Sequence, residues 1–332
     1  MPLESFASHE INLSLMRELE QFLDTQSTAH PFQFPQWSDP GGKVIVFREA
    51  GKIRWSGLFS LHRPLGRKAP WIRAAQANRG PVCDDPELFQ QATAQLPDAL
   101  RRNRICYIEI SPERVQDSAD DARVVADPGW RRAKTHRVSL RLNLTADEDA
   151  LFANFRKNSR YEIRRAERSG VSVTEASTDA EIEEFLRAHG DLAARKSFPL
   201  DELERMRRQI RWLISSESRG ALLLASHEGA VRGGVVIARA ARRCWYIWGA
   251  TQTQPNLSVG QILQWQAIRW AKRNGCTEYD FGGYTPGATS GPAWFKAGFG
   301  GTEVHFLPAE RKILQPVQYH AMNLLLRTKA SD

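Results

Sequence analysis

An α/β (α+β) chain of two similar units, each a mixed, twisted sheet flanked by helices, is predicted by three observations. The 332 residues exceed what one hydrophobic core usually serves, so two domains of roughly 150 residues each are expected. Apolar residues switch repeatedly between the two-residue period of strands and the 3.6-residue period of helices. The order of elements in the first half recurs in the second, although the residues themselves do not repeat.

In chain order, Ile11, Leu15, Leu19, Phe22 and Leu23 lie at helical spacing and predict a helix over about 10–25, followed by the proline-punctuated loop HPFQFPQWSDPGG. Lys43–Phe47 and Ile53–Leu61 are strand-like and joined across Glu49-Ala50-Gly51-Lys52 as a hairpin. Trp71–Ala75 continues the sheet, RGPVCDDP (79–86) is a loop, Leu88–Arg101 a helix and Ile105–Ile110 a strand, and Gly129-Trp130 precedes a final strand, Arg137–Leu144. The second half runs through strands Ala221–Ser226, Val231–Ala240 and Cys244–Gly249, helix Gly260–Asn274, and strands Glu278–Phe281 and Thr302–Phe306. Between the halves, helices at about 146–168, 179–196 and 201–215 form an insert that opens at Thr145 with an acidic first turn. Domains of 1–145 and 146–332, the second with a helical insert over about 146–216, follow.

Composition narrows the function. With 42% hydrophobic and 25% charged residues the chain is an ordinary globular protein. No run of 18 apolar residues occurs and the N-terminal stretch lacks a signal-peptide core, so a cytoplasmic location without a transmembrane segment is expected. Cys83, Cys106, Cys244 and Cys276 are widely spaced and form no CxxC pair, which predicts reduced, buried thiols. The eight histidines show no ligand spacing, so no metal site is expected. Forty-six basic against 38 acidic residues leave a charge of +8, favouring an anionic partner: nucleic acid, a phosphorylated nucleotide or an anionic membrane surface touched transiently.

Three segments carry candidate chemistry. In FRKNSRYEIRRAERSG, Lys157, Arg160, Arg164 and Arg168 fall at spacings of three, four and four along one helix face, with Arg156 and Arg165 beside them. That stripe suits a phosphate backbone; a solvated helix face reads the same way. Ser258-Val259-Gly260 precede an amphipathic helix, where free N–H groups can receive a phosphate, or simply open the helix. In GPAWFKAGFGG, glycines 291, 298, 300 and 301 surround Lys296 and the aromatics Trp294, Phe295 and Phe299. Lys296 is either a surface lysine or a fixed charge poised for a developing oxyanion. No GxSxG, catalytic-cysteine signature or HExxH is present, which leaves direct attack on an activated carbonyl.

Taken in order, FQFPQW (32–37), RGPV (79–82), FRKNSRYEIRRAERSGV, WYIWGA, QWQAIRWAKRNGCTEYDFGG and FKAGFGG resemble the FemABX family of tRNA-dependent aminoacyl ligases, across residues about 32–301. The resemblance implies two tandem GNAT-like acyltransferase domains, the first on the acceptor side and the second on the donor side. It implies transfer of an amino acid from aminoacyl-tRNA, the co-substrate, to an amine on a peptidoglycan-precursor peptide, with no tightly bound cofactor. It further implies that Lys296, with Phe295 beside it, stabilises the tetrahedral intermediate, and that Trp248 lines the substrate channel. Trp37, Arg195, Lys196 and Tyr284 join the substrate-binding candidates; Arg156, Lys157, Arg160, Arg164, Arg168, Ser258 and Gly260 are the candidates for donor phosphate or tRNA. The pattern departs after Trp37, where family members using a muropeptide nucleotide carry a lysine and Ser38-Asp39-Pro40-Gly41-Gly42 stands here. Two other readings stay open: an acyl-CoA-dependent N-acyltransferase of the GNAT superfamily, and a non-catalytic nucleic-acid or partner-binding module.

Overall fold

The computed structural model describes residues 2–38, 41–116, 123–133, 137–196, 203–252 and 257–328. Asp39, Pro40 and His136 lie outside them, as does the side chain of Lys196. The chain divides into two compact units, Met1–Arg137 with His305–Asp332, and Val138–Val304.

The first unit starts with β1 (Glu4–Ala7) and α1 (Leu13–Thr25). The Asn12 side chain accepts from the Leu15 N–H at 2.9 Å and caps α1, whose Leu15, Leu19, Phe22 and Leu23 are buried. Strands β2 (Lys43–Glu49) and β3 (Lys52–His62) form the expected hairpin. Its two central residues, Ala50 and Gly51, have φ of 49° and 78°, as a type I′ turn matched to strand twist requires. After β4 (Arg73–Asn78), the predicted helix Leu88–Arg101 is two, α2 (Pro86–Ala94) and α3 (Leu96–Leu100), because Pro97 cannot donate within a continuous helix. Strands β5 (Ile105–Ser111) and β6 (Trp130–Arg132) follow.

The second unit begins within β7 (Arg137–Asn143), at Val138. The single helix expected at 146–168 is α4 (Glu148–Ala153) and α5 (Lys157–Arg168), broken where Phe155 turns inward to be buried. Next come β8 (Ser172–Glu175), α6 (Asp179–Lys196), α7 (Leu203–Ile214), β9 (Gly220–His227), β10 (Ala230–Ala240), β11 (Arg243–Thr251), α8 (Val259–Arg273), β12 (Glu278–Gly283), α9 (Gly291–Ala297) and β13 (Thr302–Phe306). The chain then adds β14 (Glu310–Ile313) and α10 (Pro316–Thr328) to the first unit.

The two seven-stranded sheets have the same plan: β1-β2-β3-β4-β5-β14-β6 and β8-β9-β10-β11-β12-β7-β13. In each, an antiparallel meander is followed by one parallel pair, β4 with β5 and β11 with β12, each crossed over through helices. The repeat of element order is therefore also one of topology. Two expectations are corrected. Strand β7 pairs with β12 rather than closing the first sheet, and 305–332 rejoins the first unit, so the compact units differ from a cut at 145. Both sheets accept their sixth strand from a distant stretch of chain, which no local period encodes. Trp55, Phe59, Phe89 and Trp130 centre one core, and Phe155, Trp270, Tyr279, Phe281 and Phe299 the other. All four cysteines are free and buried.

In the first unit, the fully desolvated Glu113 is held by two arginines. Its Oε1 accepts from Arg79 Nη1 at 2.7 Å and from Arg137 Nη1 at 2.9 Å, and both guanidinium groups lie over the Phe306 ring. Burial opposes ionisation of this carboxyl, but Arg79, His30 and Arg137 outweigh it and hold the pKa at about 2. The folded value is depressed, so this contribution is complete above the ordinary carboxylate range and is lost as pH falls through about 2. Glu113→Gln leaves two inward arginines without their anion and is expected to cost about 3–5 kcal/mol in urea unfolding at neutral pH. An unchanged midpoint would mean that solvent already neutralises the arginines.

Candidate active site

The parallel pair of the second sheet comes apart part-way along. Strands β11 and β12 pair at Arg243–Glu278, Cys244–Tyr279 and Trp245–Asp280 and no further, although β11 continues to Thr251 and β12 to Gly283. In the first sheet, the corresponding pair shifts register once, between Arg73 and Ala74, but stays paired from Arg73–Ile105 to Asn78–Ser111. The cause is a bulge on each strand. Val236 pairs with Trp248 and Ile237 with Tyr246, so Ile247 is an extra residue on β11; an extra residue also sits on β12 between Asp280 and Gly283. Bulges bend a strand and increase its twist, which turns the two strands away from one another. Gly282 at φ 70° faces the Tyr246 carbonyl across the seam, where no ladder bond forms.

Lys296 stands at this opening. It lies on the last turn of α9, its Nζ donates to the Gly283 carbonyl at 2.7 Å, and it is 5.8 Å from the centre of the Tyr246 ring. Burial lowers its pKa to about 8 against the pull of the Asp280 carboxylate. Burial also raises the Tyr246 phenol to about 12, so this ring carries a neutral hydroxyl. Asp280 itself is buried on β12 and accepts from Arg141 Nε at 2.9 Å, from the Gly282 N–H at 2.8 Å and from the Ser139 hydroxyl. An ion pair thus ties β12 to β7 directly behind the lysine.

The glycines of the FKAGFGG stretch have a packing cause. A Cβ on Gly298 would fall onto the Ser159 hydroxyl of α5, and the Gly298 carbonyl accepts from the Arg156 N–H at 2.9 Å. Phe295 packs edge-on against Phe299 at 5.4 Å, and its ring lies 3.5 Å from where a Cβ on Gly260 would stand, at the first turn of α8. Lys296, Phe295 and Gly260 are therefore brought together. Ser258 is the N-cap of α8 and makes no side-chain capping bond. Thr251 Cγ2 lies beside Gly260, and the Thr251 carbonyl accepts from Arg195 Nη2 at 3.4 Å, which places Arg195 at the same end of β11. Trp248 is half-buried on the part of β11 beyond the seam, and the Tyr284 N–H donates to the Val138 carbonyl at 2.9 Å, just past the end of β12.

The basic stripe is only partly free for a ligand. Arg156 stacks on Trp294 at 4.4 Å and donates to its carbonyl at 3.4 Å; Arg160 turns back to the Ala153 carbonyl at the end of α4. Arg164 lies over Phe152 at 5.2 Å, and Arg165 pairs with Glu162 at 3.6 Å. Lys157, Arg164 and Arg168 are exposed. Trp37 belongs to the first unit, where it packs on Phe32 at 5.0 Å. A cleft of about 510 Å³ in that unit, lined by Glu18, Phe22, Lys52, Arg54, Asp84 and Asp85 among others, contains none of the predicted site residues. Sequence reasoning missed Tyr246, Asp280, Arg141 and Ser139. The available signal was Asp280, an acid placed between the aromatic residues Tyr279 and Phe281.

A family model described as an acetyltransferase (GNAT) domain matches residues 153–296, which run from the end of α4 to Lys296. With the duplicated sheet plan, it defines the fold class: tandem GNAT-like. Within that class, the UDP-N-acetylmuramoylpentapeptide-lysine N(6)-alanyltransferase of Weissella viridescens is 24% identical over 224 residues. That match covers 63% of this chain and 66% of the relative, just under two-thirds of its length. The crystal structure of FemX is similar with a TM-score of 0.78 over 96% of this chain and 99% of its own, at 16% identity. A tandem GNAT protein from the clavulanic acid biosynthesis pathway is similar with a TM-score of 0.54 over 93% and 98%, at 11% identity. These matches bear out the resemblance to the FemABX ligases and the tandem GNAT-like fold.

Asp280→Asn leaves the buried Arg141 guanidinium without its anion and is expected to cost about 3–5 kcal/mol in denaturant unfolding. Adding Arg141→Met should recover a large part of that loss; a double variant no more stable than the single one would show that Asp280 acts through something other than this pair.

Proposed function

We propose that the chain moves an amino acid from aminoacyl-tRNA to an amine on a peptidoglycan-precursor peptide by direct aminolysis. The observation that carries this reading is the half-buried Lys296, pinned by the Gly283 carbonyl at the open end of the β11–β12 seam. The acceptor nitrogen attacks the ester carbonyl, a C–N bond forms, and negative charge collects on the carbonyl oxygen. When the intermediate collapses, the C–O bond to the ribose breaks and the proton from the amine ends on the departing hydroxyl. A lysine fixed in a water-poor position stabilises that oxygen without having to reorganise. Phe295 holds α9 against the start of α8, and Trp248 and Tyr284 border the space where the reacting groups would meet.

The relative's own name, an N(6)-alanyltransferase acting on a muramoylpentapeptide lysine, supports the acceptor class. In this reading the first unit, with Trp37, takes the acceptor, and the second unit carries the donor and the chemistry. Arg195 and Lys196 assist acceptor binding, and the basic face of α5 meets tRNA phosphates, Lys157, Arg164 and Arg168 directly and Arg156 and Arg160 through their hold on α9 and α4. No bound cofactor is required, and the reaction belongs in the cytoplasm, where charged tRNA is available. The GNAT match supports one second reading, acyl-CoA as donor, with its pyrophosphate at Ser258 and Gly260 on the first turn of α8. Titration calorimetry separates the two: micromolar heat with acetyl-CoA favours the second, and salt-sensitive tRNA binding without it the first.

Lys296→Met is expected to lower the single-turnover rate by on the order of 10² while tRNA affinity holds. Unchanged turnover would sink the assignment. The pH dependence separates the two roles a lysine can play. With a pKa of about 8, the ammonium form is complete well below that value and is lost as pH rises through it, so an oxyanion role makes the rate fall above about 8. Lys296→Arg should move that fall to higher pH, and Asp280→Asn, which removes the anion that favours the ammonium, to lower pH. A rate that instead climbs through the same limb would make Lys296 a general base.

Arg164→Ala and Arg168→Ala should each reduce the slope of log affinity for tRNA against log salt by about one. An unaltered slope would remove the α5 face from the RNA contact.

A further inference from the structure

Nine large apolar side chains are exposed among the described residues, and five of them, Trp71, Val317, Leu324, Leu325 and Leu326, belong to two elements of the first unit. One is the loop between β3 and β4, and the other is α10. Both are anchored on one small cluster: Leu65, Ala69 and Ile72 from the loop and Tyr319 and Met322 from α10 pack around Tyr107. The loop is closed by its own backbone bonds, Gly66 N to Arg63 O at 2.9 Å, Lys68 N to Leu65 O at 3.2 Å and Ile72 N to Ala69 O at 3.1 Å. Helix α10 is held by the Tyr319 hydroxyl, which accepts from Arg311 Nη1 at 2.8 Å, and by the Tyr319 ring edge-on to Tyr107 at 5.7 Å.

Helix α10 is thus apolar on two sides. Tyr319 and Met322 face the sheet, whereas Val317 and Leu324, seven residues apart and therefore on one stripe with Ala321, face solvent, Val317 at 84% exposure. Trp71 is 65% exposed and belongs to the same short loop as the exposed Arg63, Arg67 and Lys68. Residues 62–73 contain four arginines and lysines and no acid, and residues 311–331 contain no acid either. A buried protein interface core is depleted of such charge. An exposed indole and basic side chains on one short loop, packed on the same cluster as an amphipathic surface helix, are what the headgroup zone of an anionic bilayer accommodates.

We propose that this face of the first unit, Trp71 with Arg63, Arg67 and Lys68 beside the Val317–Leu324 stripe of α10, docks on an anionic lipid bilayer. The indole and the helix stripe enter the boundary between headgroups and acyl chains, and the three basic residues meet lipid phosphates. The contact is peripheral: no helix among the described residues is long and apolar enough to cross a membrane. It is also independent of the transfer chemistry, because none of these residues belongs to the candidate active site.

The test is co-sedimentation of the full chain with phosphatidylcholine–phosphatidylglycerol vesicles and with phosphatidylcholine vesicles alone. Binding is expected only to the anionic vesicles and should weaken with added salt. Arg67→Glu with Lys68→Glu should lower partitioning by about 10-fold or more, since each basic residue near such a surface counts for roughly a fivefold change. Trp71→Ser and Leu324→Gln should each lower it as well, with the thermal midpoint retained because both positions are exposed. A matched charge reversal on α5, Lys157→Glu with Arg168→Glu, should leave partitioning unchanged. The proposal is overturned by equal binding to neutral vesicles, by no binding at all, or by an equal loss in the α5 control. Self-association in sedimentation velocity that Leu324→Gln abolishes would overturn it too, assigning the face to a contact between copies of the chain.

Discussion

Backbone N–H and C=O groups must find partners, and in a parallel pair the neighbouring strand normally supplies them. In the first sheet, β4 and β5 use theirs on one another out to Asn78 and Ser111. In the second, β11 and β12 stop at Trp245 and Asp280, and the groups beyond are left for something else. Lys296 takes one of them, the Gly283 carbonyl. The positions of Tyr246, Gly282 and Lys296 all follow from that early parting of the strands. The bulge at Ile247 and the extra residue after Asp280 are its local causes.

A sheet that opens along one edge of a strand must hold that strand by its other edge. Strand β12 is held by β7, where Asp280 pairs across to Arg141 and Ser139 adds its hydroxyl. The first sheet has the same device at the matching place, with Glu109 of β5 opposite Arg311 of β14. The copies differ in what approaches the acid. Gln76 of β4 donates to Glu109 Oε1 at 3.0 Å across a seam that remains closed, whereas the field of Asp280 reaches Lys296 at a seam that has opened. A desolvated ion pair adds little net stability compared with apolar packing. Its use in the second unit is to fix β12 and to favour the charged form of a lysine that burial would otherwise discharge.

How much of this was legible in the sequence depends on the range of the interaction. Turns were: Glu49-Ala50-Gly51-Lys52 is a hairpin because two positive φ angles are needed and glycine supplies one of them. The helix start expected at Thr145 lies two residues later, where the Asp147 side chain caps α4. The glycine-rich stretch drew attention to Lys296 because small residues mark close approaches, and Gly298 against Ser159 is one. What could not be read is pairing between distant segments. Strand β7 has an evident two-residue period, but nothing in Arg137–Asn143 says that its partner is β12 rather than a first-unit strand, and β14 with α10 was not anticipated at all. The role of Asp280 was hidden for the same reason: its partners lie on β7, far earlier in the chain.

The basic helix shows why a charge pattern by itself overstates a ligand. Six cations lie in and beside one stripe of α5, but Arg156 is spent on Trp294, Arg160 on the end of α4 and Arg165 on Glu162. These bonds make α5 a brace for α9. The Gly298 carbonyl is bonded to the Arg156 N–H, and the Gly298 Cα is pressed against Ser159, two residues from Lys296. The exposed Lys157, Arg164 and Arg168 therefore sit on the same rigid element that positions the lysine at the seam. A polyanion bound to that face would be registered against Lys296 and the open seam by packing alone, with no moving part between them.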